Sequence, residues 1–309
     1  MISLSNARLR LTYVAERYRP LVASAIIEAL KKQFADAWGQ RMEHLLRFAL
    51  LALLSRSGST LADIVPMFTD KAFRSGVLAS ATDPEVTKFW RDEYTKMNYK
   101  NAFDGVAPIA NKLGAFLSNP VVRQALCAPE QPLRFRKLMD EGAPIVINLS
   151  KGRLGADVSD VVGGLILAMI TQAALSRADQ AEGQRRAFFV YVDEFHSFTT
   201  DTMAGMLSEL RKFKVGLVLA GQHMSQVSTK MSDSLLGNVG TQLVFRLGAK
   251  DAGLLGRQLG MDGAQLIQSP NYRMFVRLMV DGAQTGAFSA QSIASLAQYS
   301  QREQHGPER

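Results

Sequence analysis

In the segment AFFVYVDE, Ala187–Glu194, six apolar residues lead directly into two carboxylates, which is typical of a buried strand that ends at a polar site. The stretch VGLVLAGQ, Val215–Gln222, follows the same plan and ends in a polar Gln. Between them, Thr200–Phe213 is predicted to be a helix. Short apolar strands that alternate with helices are typical of a parallel sheet covered by helices on both faces. We therefore predict an α/β core in which these polar residues follow the carboxyl ends of neighbouring strands.

The same alternation continues on both sides of this stretch. Upstream, PIVINL (Pro144–Leu149) is predicted to be a strand that leads into the Gly-flanked loop SKGRLG. A buried helix over Val158–Arg177 follows this loop. Downstream, TQLVFR (Thr241–Arg246) is predicted to be a fourth strand of the series. The α/β pattern therefore begins soon after residue 140.

Residues 21–140 have a helical pattern throughout. Leu21–Trp38 repeats apolar residues at intervals of three and four, and Arg41–Ser55 is a second, strongly apolar helix. Capping residues mark further helix starts at Ser59-Thr60, Asp83-Pro84 and Asn119-Pro120. We predict that this region is all-α.

The C-terminal part of the chain contains a hairpin signal and a polar tail. Asp281-Gly282 separates Tyr272–Val280 from Gln284–Ser289, and an Asp-Gly pair favours a two-residue turn. Residues 298–309 are polar and are predicted to be disordered. The predicted organisation is an N-terminal remnant (1–20), an all-α domain (21–140), an α/β core (141–297) and this tail.

Composition places the chain among ordinary globular proteins, with 309 residues, 47% apolar residues and a net charge of +8. It excludes a disordered tail protein, a collagen-like fibre and a disulfide-stapled miniprotein. Residues 1–154 carry 22 basic and 14 acidic side chains, so the whole excess of 22 − 14 = 8 lies in the first half. A basic half is compatible with nucleic-acid binding. The alternative is an Arg-rich soluble surface.

The number and spacing of cysteines and histidines, and the length of the apolar runs, indicate the cellular compartment and argue against a zinc site. Cys127 is the only cysteine, which favours a reducing compartment, and the four histidines have no zinc-site spacing. The longest apolar runs, Leu45–Leu54 and Val161–Leu175, fall short of the roughly 20 residues that span a bilayer. No signal peptide precedes them. We predict a cytoplasmic chain without a membrane segment.

Asp193 and Glu194 are the strongest candidates for chemistry. In a parallel sheet the ligand binds beyond the carboxyl ends of the strands. An apolar strand followed by Asp-Glu has the form of a Walker B element, in which Asp holds the hydration shell of Mg²⁺ and Glu polarises the attacking water. The alternative is a capping Asp that starts the next helix. Gln222, at the end of the adjacent strand, either senses a γ-phosphate or is a turn residue bonded to its own backbone.

In combination these motifs resemble the TraG/TraD-type conjugative coupling proteins, which belong to the HerA/FtsK superfamily of DNA-pumping ATPases. The resemblance covers about Leu21 to Ser289. It is carried by the segments FFVYVDEFHSF (Phe188–Phe198), LSELRKFKVGLVLAGQHMSQV (Leu207–Val227), GNVGTQLVFRLGAKDAGLL (Gly237–Leu255), INLSKGRLG (Ile147–Gly155), WGQRMEHLLRFALLALL (Trp38–Leu54) and DPEVTKFW (Asp83–Trp90).

The resemblance implies part of a RecA-like P-loop NTPase core with an all-α insertion domain. It implies ATP and Mg²⁺ as cofactors, with Asp193 and Glu194 as the Walker B pair and Gln222 as the sensor. The implied partners are DNA, the relaxosome and a type IV secretion channel, and the implied assembly is a homo-hexamer. Such a machine works at the inner-membrane face through its partners.

Four basic residues are further candidates. The resemblance implies that Arg211 is directed at the nucleotide, and in a ring Arg211 or Arg246 would reach the γ-phosphate of a neighbouring subunit. The alternatives are a cation at a helix C-terminus for Arg211 and a surface position for Arg246. Lys151 and Arg153, in the loop after the strand Pro144–Leu149, either contact phosphate or DNA or belong to a solvated loop.

The sequence departs from this family in one important respect. A phosphate-binding P-loop needs GxxxxGK[ST], and no lysine in this chain is followed by Ser or Thr. The membrane anchor of the family is missing as well. We expect either a truncated or mis-started gene product, or a P-loop half that is supplied by another polypeptide. In both cases the chain alone is expected to hydrolyse ATP poorly or not at all.

Two other functions stay open from the sequence. The first is a non-catalytic adaptor that keeps the fold and binds DNA or a partner ATPase. The second is a generic α/β enzyme with a small-molecule site. The chain contains no nucleophile–base pair and no glycine fingerprint that would favour the second.

Overall fold

The structure, a computed structural model, describes residues 2–3, 16–35, 38–97, 99–127 and 133–292. The chain divides into two compact units, Met1–Ala220 and Gly221–Arg309. The boundary predicted at residue 140 lies inside the first unit. The predicted tail, 298–309, lies outside the described residues, and so do residues 1 and 4–15 of the predicted N-terminal remnant.

The first unit is mostly helical before residue 142 and alternates helices and strands after it. Its helices are α1 (Arg19–Gln33), α2 (Gln40–Leu53), α3 (Ile64–Thr69), α4 (Lys71–Leu78), α5 (Pro84–Lys88), α6 (Tyr99–Leu117), α7 (Pro120–Cys127), α8 (Phe135–Glu141), α9 (Lys151–Leu154), α10 (Ala156–Ser176) and α11 (Asp201–Leu210). Its strands are β1 (Ile2–Ser3), β2 (Ile147–Asn148), β3 (Phe188–Val192) and β4 (Val215–Leu219).

Two of the predicted helix starts are confirmed by their capping hydrogen bonds. The Asp83 carboxylate accepts from the N–H of Glu85 at 2.9 Å, directly ahead of Pro84 at the start of α5. Asn119 Oδ1 accepts from the N–H of Val121 at 3.0 Å at the start of α7. Each cap pairs a backbone N–H that has no partner inside its own helix.

The strands of the first unit pair in parallel, as the apolar runs predict. β1 pairs with β2, and β3 pairs with β4 along its full length, from Phe188 opposite Val215 to Val192 opposite Leu219. The carboxyl ends of β3 and β4 therefore lie at one edge of this sheet and their amino ends at the other. This arrangement determines which of the candidate residues can meet.

Helix α10 is a buried central helix in the α/β part of the first unit. It packs against α1, α8 and α11, and most of its apolar residues are buried. Gly163 on α10 is in contact with the Phe198 ring, and a Cβ at this position would overlap that ring. Within the described part of the chain, Ala156–Asp179 is the one helical segment that is long and apolar enough to cross a membrane by length and composition. Its packing is that of a buried core helix.

The second unit is a smaller α/β body with antiparallel pairing. Its elements are α12 (Thr229–Asn238), β5 (Gln242–Val244), α13 (Ala249–Leu259), α14 (Gly263–Ile267), β6 (Arg273–Arg277), β7 (Met279–Val280), β8 (Ala283–Gln284) and β9 (Phe288–Gln291). Its core lies between the sheet and α13 and α14, and it contains Val244, Ala252, Leu255, Leu259 and Leu266.

The hairpin prediction is confirmed, and the prediction for the fourth strand needs a correction. Asp281 and Gly282 link β7 and β8 with φ values of 51° and 82°, as a type I′ turn requires. Strand β5, predicted to continue the parallel series, instead pairs antiparallel with β6, which also pairs antiparallel with β9. The residues of β5 specify an extended, half-buried segment. Its direction is set by the partner strand, which returns to it after α13 and α14.

Candidate functional site

The carboxyl edge of β3 and β4 carries the Asp193–Glu194 pair. The backbone ladder continues past the strands at this edge. Ala220 N–H donates to Val192 O at 2.9 Å, and Phe195 N–H donates to Ala220 O at 3.0 Å. The backbone on both sides of the two carboxylates is therefore held by hydrogen bonds to β4, and the pair leaves the sheet at a defined point.

Glu194 has an unusual backbone conformation for a non-glycine residue. Its φ of 51° and ψ of 45° lie in the left-handed region. The Glu194 N–H donates to Asp193 Oδ1 at 3.0 Å, and the buried Phe195 follows at the start of a single 3₁₀ turn. Residues in sparsely populated conformations persist where surrounding contacts determine them, and they cluster at functional sites.

Polar side chains connect Glu194 to the loop that follows it. His196 Nδ1 lies 3.4 Å from Glu194 Oε2, and His196 Nε2 lies 3.4 Å from Ser197 Oγ. Lys151 Nζ donates to Ser197 Oγ at 2.8 Å and lies 3.2 Å from Asp160 Oδ1. These side chains form a polar cluster between the carboxylate edge and α10, in which His196 Nδ1 and Asp160 Oδ1 are within ion-pair distance but form no hydrogen bond.

Lys32, near the end of α1, holds the same loop by its backbone. Its ammonium donates to the carbonyl oxygens of His196, of Ser197 at 3.0 Å and of Thr199 at 3.1 Å. Burial lowers the pKa of Lys32, and the nearby Asp160 carboxylate opposes this shift. The three N–H groups of the ammonium donate to three carbonyl oxygens, so each of its protons is in a hydrogen bond to the loop.

Lys151 and Arg153 lie on a short helix, α9, where a loop is predicted. Helix α9 directly precedes α10, so Lys151 lies next to Asp160 in the first turns of α10. From there its ammonium reaches Ser197 in the loop after Glu194. The Arg153 side chain is exposed. Of these two predicted phosphate or DNA contacts, Lys151 is therefore the one that the fold brings to the carboxylate edge.

Arg211 lies at the opposite edge of the sheet. It precedes β4, whereas Asp193 follows β3, and the two strands run in parallel. Five residues at about 3.3 Å each place about 16 Å of sheet between the two edges. Arg211 is exposed and does not reach Asp193 or Glu194 of its own sheet.

Gln222 and Arg246 belong to the second unit, and both are exposed. The loop after Gln222 is held by Asp251, a buried carboxylate in the first turn of α13. Asp251 accepts from the N–H groups of Met224 and Ser225, both at 3.1 Å. Arg246 follows β5, which places it at the end of an antiparallel strand.

The contact of His196 with Glu194 could be predicted from the sequence, whereas the contact of Lys32 with the same loop could not. His196 lies two residues from Glu194, so its position beside that carboxylate follows from the motif once a tight turn is recognised. Lys32 is 164 residues from His196, and the pair Lys31-Lys32 has the appearance of an ordinary solvated helix end. Only tertiary packing brings Lys32 to the loop.

The carboxylate edge suits a hydrated Mg²⁺ but does not include a phosphate cradle. Asp193 is exposed and uses Oδ1 to accept from Glu194 N–H, which leaves Oδ2 for a water ligand of a cation. Among the described residues, no three His, Cys, Asp or Glu side chains lie close enough to form a metal site of their own. The backbone cradle and lysine of GxxxxGK[ST] do not occur in the sequence.

The sequence matches no protein-family profile and no curated protein, but the fold matches solved structures. The unbound bacterial conjugative coupling protein TrwBΔN70 matches with a TM-score of 0.64 at 14% identity, over 92% of this chain and 69% of the TrwB chain. The chain therefore shares its fold with this coupling protein. The predicted α/β, RecA-like fold class is thereby confirmed.

Two further structures support the same fold. Plasmid coupling protein TrwB in complex with ADP and Mg²⁺ matches with a TM-score of 0.62 at 15% identity, over 93% of this chain and 71% of that chain. VirB4 of Thermoanaerobacter pseudethanolicus matches with a TM-score of 0.54 at 10% identity, over 96% of this chain and 77% of that chain.

Proposed function

We propose that this chain is the Walker B half of a DNA-translocating ATPase of the type IV secretion coupling kind. The observation that carries the proposal is the Asp193–Glu194 pair at the carboxyl end of β3, beside the parallel β4, in a fold shared with TrwB. In this proposal Asp193 holds Mg²⁺ through water, Glu194 polarises the attacking water, and Gln222 senses the γ-phosphate. Lys151 supplies a cation near the phosphates.

The proposal includes the remaining basic residues and the assembly. Since Arg211 lies at the far edge of its own sheet, it would act on a nucleotide held by a neighbouring subunit of a homo-hexamer. Arg246 has the same role in the proposal, and Arg153 contacts phosphate or DNA. We also propose that an all-α domain ends near residue 140 and that the protein works in the cytoplasm. Its proposed partners are DNA, the relaxosome and the secretion channel.

The support for ATP and Mg²⁺ as ligands comes from solved structures with the same fold. TrwB is described in complex with ADP and Mg²⁺ and with a non-hydrolysable ATP analogue. Because GxxxxGK[ST] does not occur in this chain, we propose that the chain alone binds ATP weakly and hydrolyses it poorly or not at all. The cradle would have to be supplied by another polypeptide segment.

A phosphate-release assay with Mg²⁺ and ATP tests this proposal. The wild-type chain and Glu194→Gln are expected to give the same background rate, and calorimetry is expected to detect only weak binding of ADP with Mg²⁺. A robust Mg²⁺-dependent turnover that Glu194→Gln abolishes would refute the proposed inactivity and establish the role of Glu194. A robust Mg²⁺-dependent turnover, well above background, that Glu194→Gln leaves unchanged would refute both the proposed inactivity and the assignment of the carboxylates.

A non-catalytic adaptor that binds DNA or a partner ATPase is the second candidate. The missing phosphate cradle favours it, since the fold is retained without the residues that the reaction needs. Salt-dependent binding of duplex DNA that persists in an Asp193→Ala/Glu194→Ala variant is the result expected for an adaptor. Loss of DNA binding in that variant would count against it.

A further inference from the structure

One face of the β5–β6–β9 sheet carries only apolar side chains. Leu243, Val276 and Phe288 lie directly opposite one another across the three strands, so they share a face of the sheet. Leu243 is 56% and Phe288 is 46% exposed, and Val276 between them is buried. Met274 and Ala290, which pair with each other two residues along the strands, add a second row. We call the surface formed by these five residues the open sheet face.

Helices cover the opposite face of this sheet. Val244 and Phe275, which pair with each other, share a core there with Leu255 of α13 and Leu266 of α14. An apolar sheet face is stable when another layer of secondary structure buries it. Among the described residues of the second unit, α13 and α14 form such a layer on one side, whereas two side chains of the open sheet face stay about half exposed. The open sheet face therefore needs a further layer.

The chain leaves the sheet beside the open sheet face. Strand β9 ends at Gln291, which pairs with Arg273, and the next amide, that of Ser292, donates to Tyr272 O at 2.7 Å. Hydrogen bonds therefore fix the point at which the chain leaves β9. Residues 293–309 follow and lie outside the described residues. The segment after β9 thus starts next to the open sheet face.

The sequence after β9 has the pattern of a short amphipathic helix. Ile293, Leu296 and Ala297 are apolar at spacings of three and four, and Ser292 is a favourable residue for a helix N-cap. No charged residue occurs between Gly282 and Arg302. An isolated helix of this length is marginal in water, so it needs a surface that buries its apolar side.

The length of this segment matches the open sheet face. The distance along the strands from Gln291 to the row of Leu243, Val276 and Phe288 is about 10 Å. A helix rises about 1.5 Å per residue, so residues 293–299 span about 10 Å as well. The diameter of a helix is also about 10 Å, whereas neighbouring strands are about 4.8 Å apart. A single helix over residues 293–299 is therefore long and wide enough to cover this face.

We propose that residues 293–299 fold back onto the open sheet face as a short helix and bury it. The apolar side of this helix packs on the row of Leu243, Val276 and Phe288, and the sheet is then covered by helices on both faces. The docked segment closes this surface to other partners. The proposal goes beyond the proposed function, because it needs neither nucleotide nor DNA.

A second copy of the chain fits the open sheet face less well. An aromatic side chain buries about 150–250 Å², so one leucine and one phenylalanine, each about half exposed, fall short of the roughly 800 Å² per partner found in stable interfaces. The segment after β9 is tethered beside the face, and an effective concentration in the millimolar range replaces the cost of association. Because this segment lacks charge, its docking buries no ion.

Disulfide formation in the full chain tests the proposal. In a Cys127→Ala background, which removes the only native cysteine, Leu243→Cys/Ala297→Cys places one thiol on the open sheet face and one on the apolar side of the segment. Under mild oxidation this pair is expected to form an intramolecular disulfide about 10-fold faster than the control pair Gln265→Cys/Ala297→Cys. Gln265 is exposed on α14, which packs on the opposite face of the sheet.

Dye binding with matched charge substitutions gives a second measurement. Ala297→Asp puts a carboxylate into the proposed contact, so the segment is expected to undock and the fluorescence of ANS, which binds exposed apolar surface, to rise severalfold. Ser295→Asp adds the same charge on the opposite side of the helix. This control variant is expected to bind the dye like the wild type.

Three results would overturn the proposal. One is an equal rate of disulfide formation in the two cysteine pairs, and another is equal dye binding by Ala297→Asp and Ser295→Asp. The third is a disulfide-linked dimer as the main product, which would show that a second copy covers this face. None of these measurements involves a nucleotide, so a failure here leaves the assignment of Asp193 and Glu194 unaffected.

Discussion

Replacing Lys32 by Met tests how the loop after Glu194 is held. The change removes the ammonium that donates to three backbone carbonyls and keeps the apolar stem of the side chain. A hydrogen bond from a charged group contributes about 1.5–3 kcal/mol, so three such bonds have an upper limit of about 4.5–9 kcal/mol. Lys32 is an exposed residue by surface area, so water competes for these bonds and their net contribution is well below this limit. We expect Lys32→Met to lower the free energy of unfolding by about 1–2 kcal/mol.

Urea denaturation and native-state hydrogen exchange measure this loss. The amides of Ser197, Phe198 and Thr199 belong to the held loop and are expected to exchange faster in Lys32→Met. The neighbouring Lys31 provides a matched control. It is 52% exposed and pairs with Glu43 at 3.0 Å, so Lys31→Met is expected to cost less than about 1 kcal/mol.

The two adjacent lysines are expected to differ clearly in their contribution to stability. A Lys32→Met variant within about 0.5 kcal/mol of the wild type would refute it, because the three carbonyls would then not depend on the ammonium. Equal losses in Lys31→Met and Lys32→Met would also refute it. In that case the effect would come from helix α1 as a whole.

Three further predictions concern packing, the loop after Gln222 and acid stability. Gly163→Ala places a methyl group into the Phe198 ring and is expected to cost about 1–3 kcal/mol, whereas Gly183→Ala has open space and is expected to be nearly neutral in thermal unfolding. Asp251→Ala removes the acceptor of two backbone N–H groups and is expected to cost about 2–3 kcal/mol and to speed hydrogen exchange in that loop. Hydrogen bonds from Trp38 and Lys31 lower the pKa of Glu43, so the stability that Glu43 contributes is present above its ordinary value of 4.5 and is lost as the pH falls through the lowered pKa. The wild type and Glu43→Gln should therefore converge in stability in acid.

Each of these predictions has a result that contradicts it. Equal melting temperatures for Gly163→Ala and Gly183→Ala would show that the Phe198 ring moves freely. Unchanged exchange at Met224 and Ser225 in Asp251→Ala would show that other groups hold the loop. A constant difference between the wild type and Glu43→Gln down to low pH would show that this carboxylate has no favourable partners in the folded state.

The local features of the fold follow from short-range interactions along the chain. The apolar runs of β3 and β4 are extended because their neighbours in sequence are turn and helix formers, and Asp83 and Asn119 cap helices through hydrogen bonds to residues two positions away. The Asp-Gly hairpin and the position of Asp193-Glu194 after a strand were predictable for the same reason. All of these depend on interactions within a few residues.

Tertiary structure decided which distant residues meet. The packing of α1 on α10 brought Lys32 to the loop after Glu194. The antiparallel direction of β5 depends on where β6 returns. A residue's own neighbours in sequence carry no information on these contacts, because their free energy comes from burial and hydrogen bonds between segments that only folding brings together.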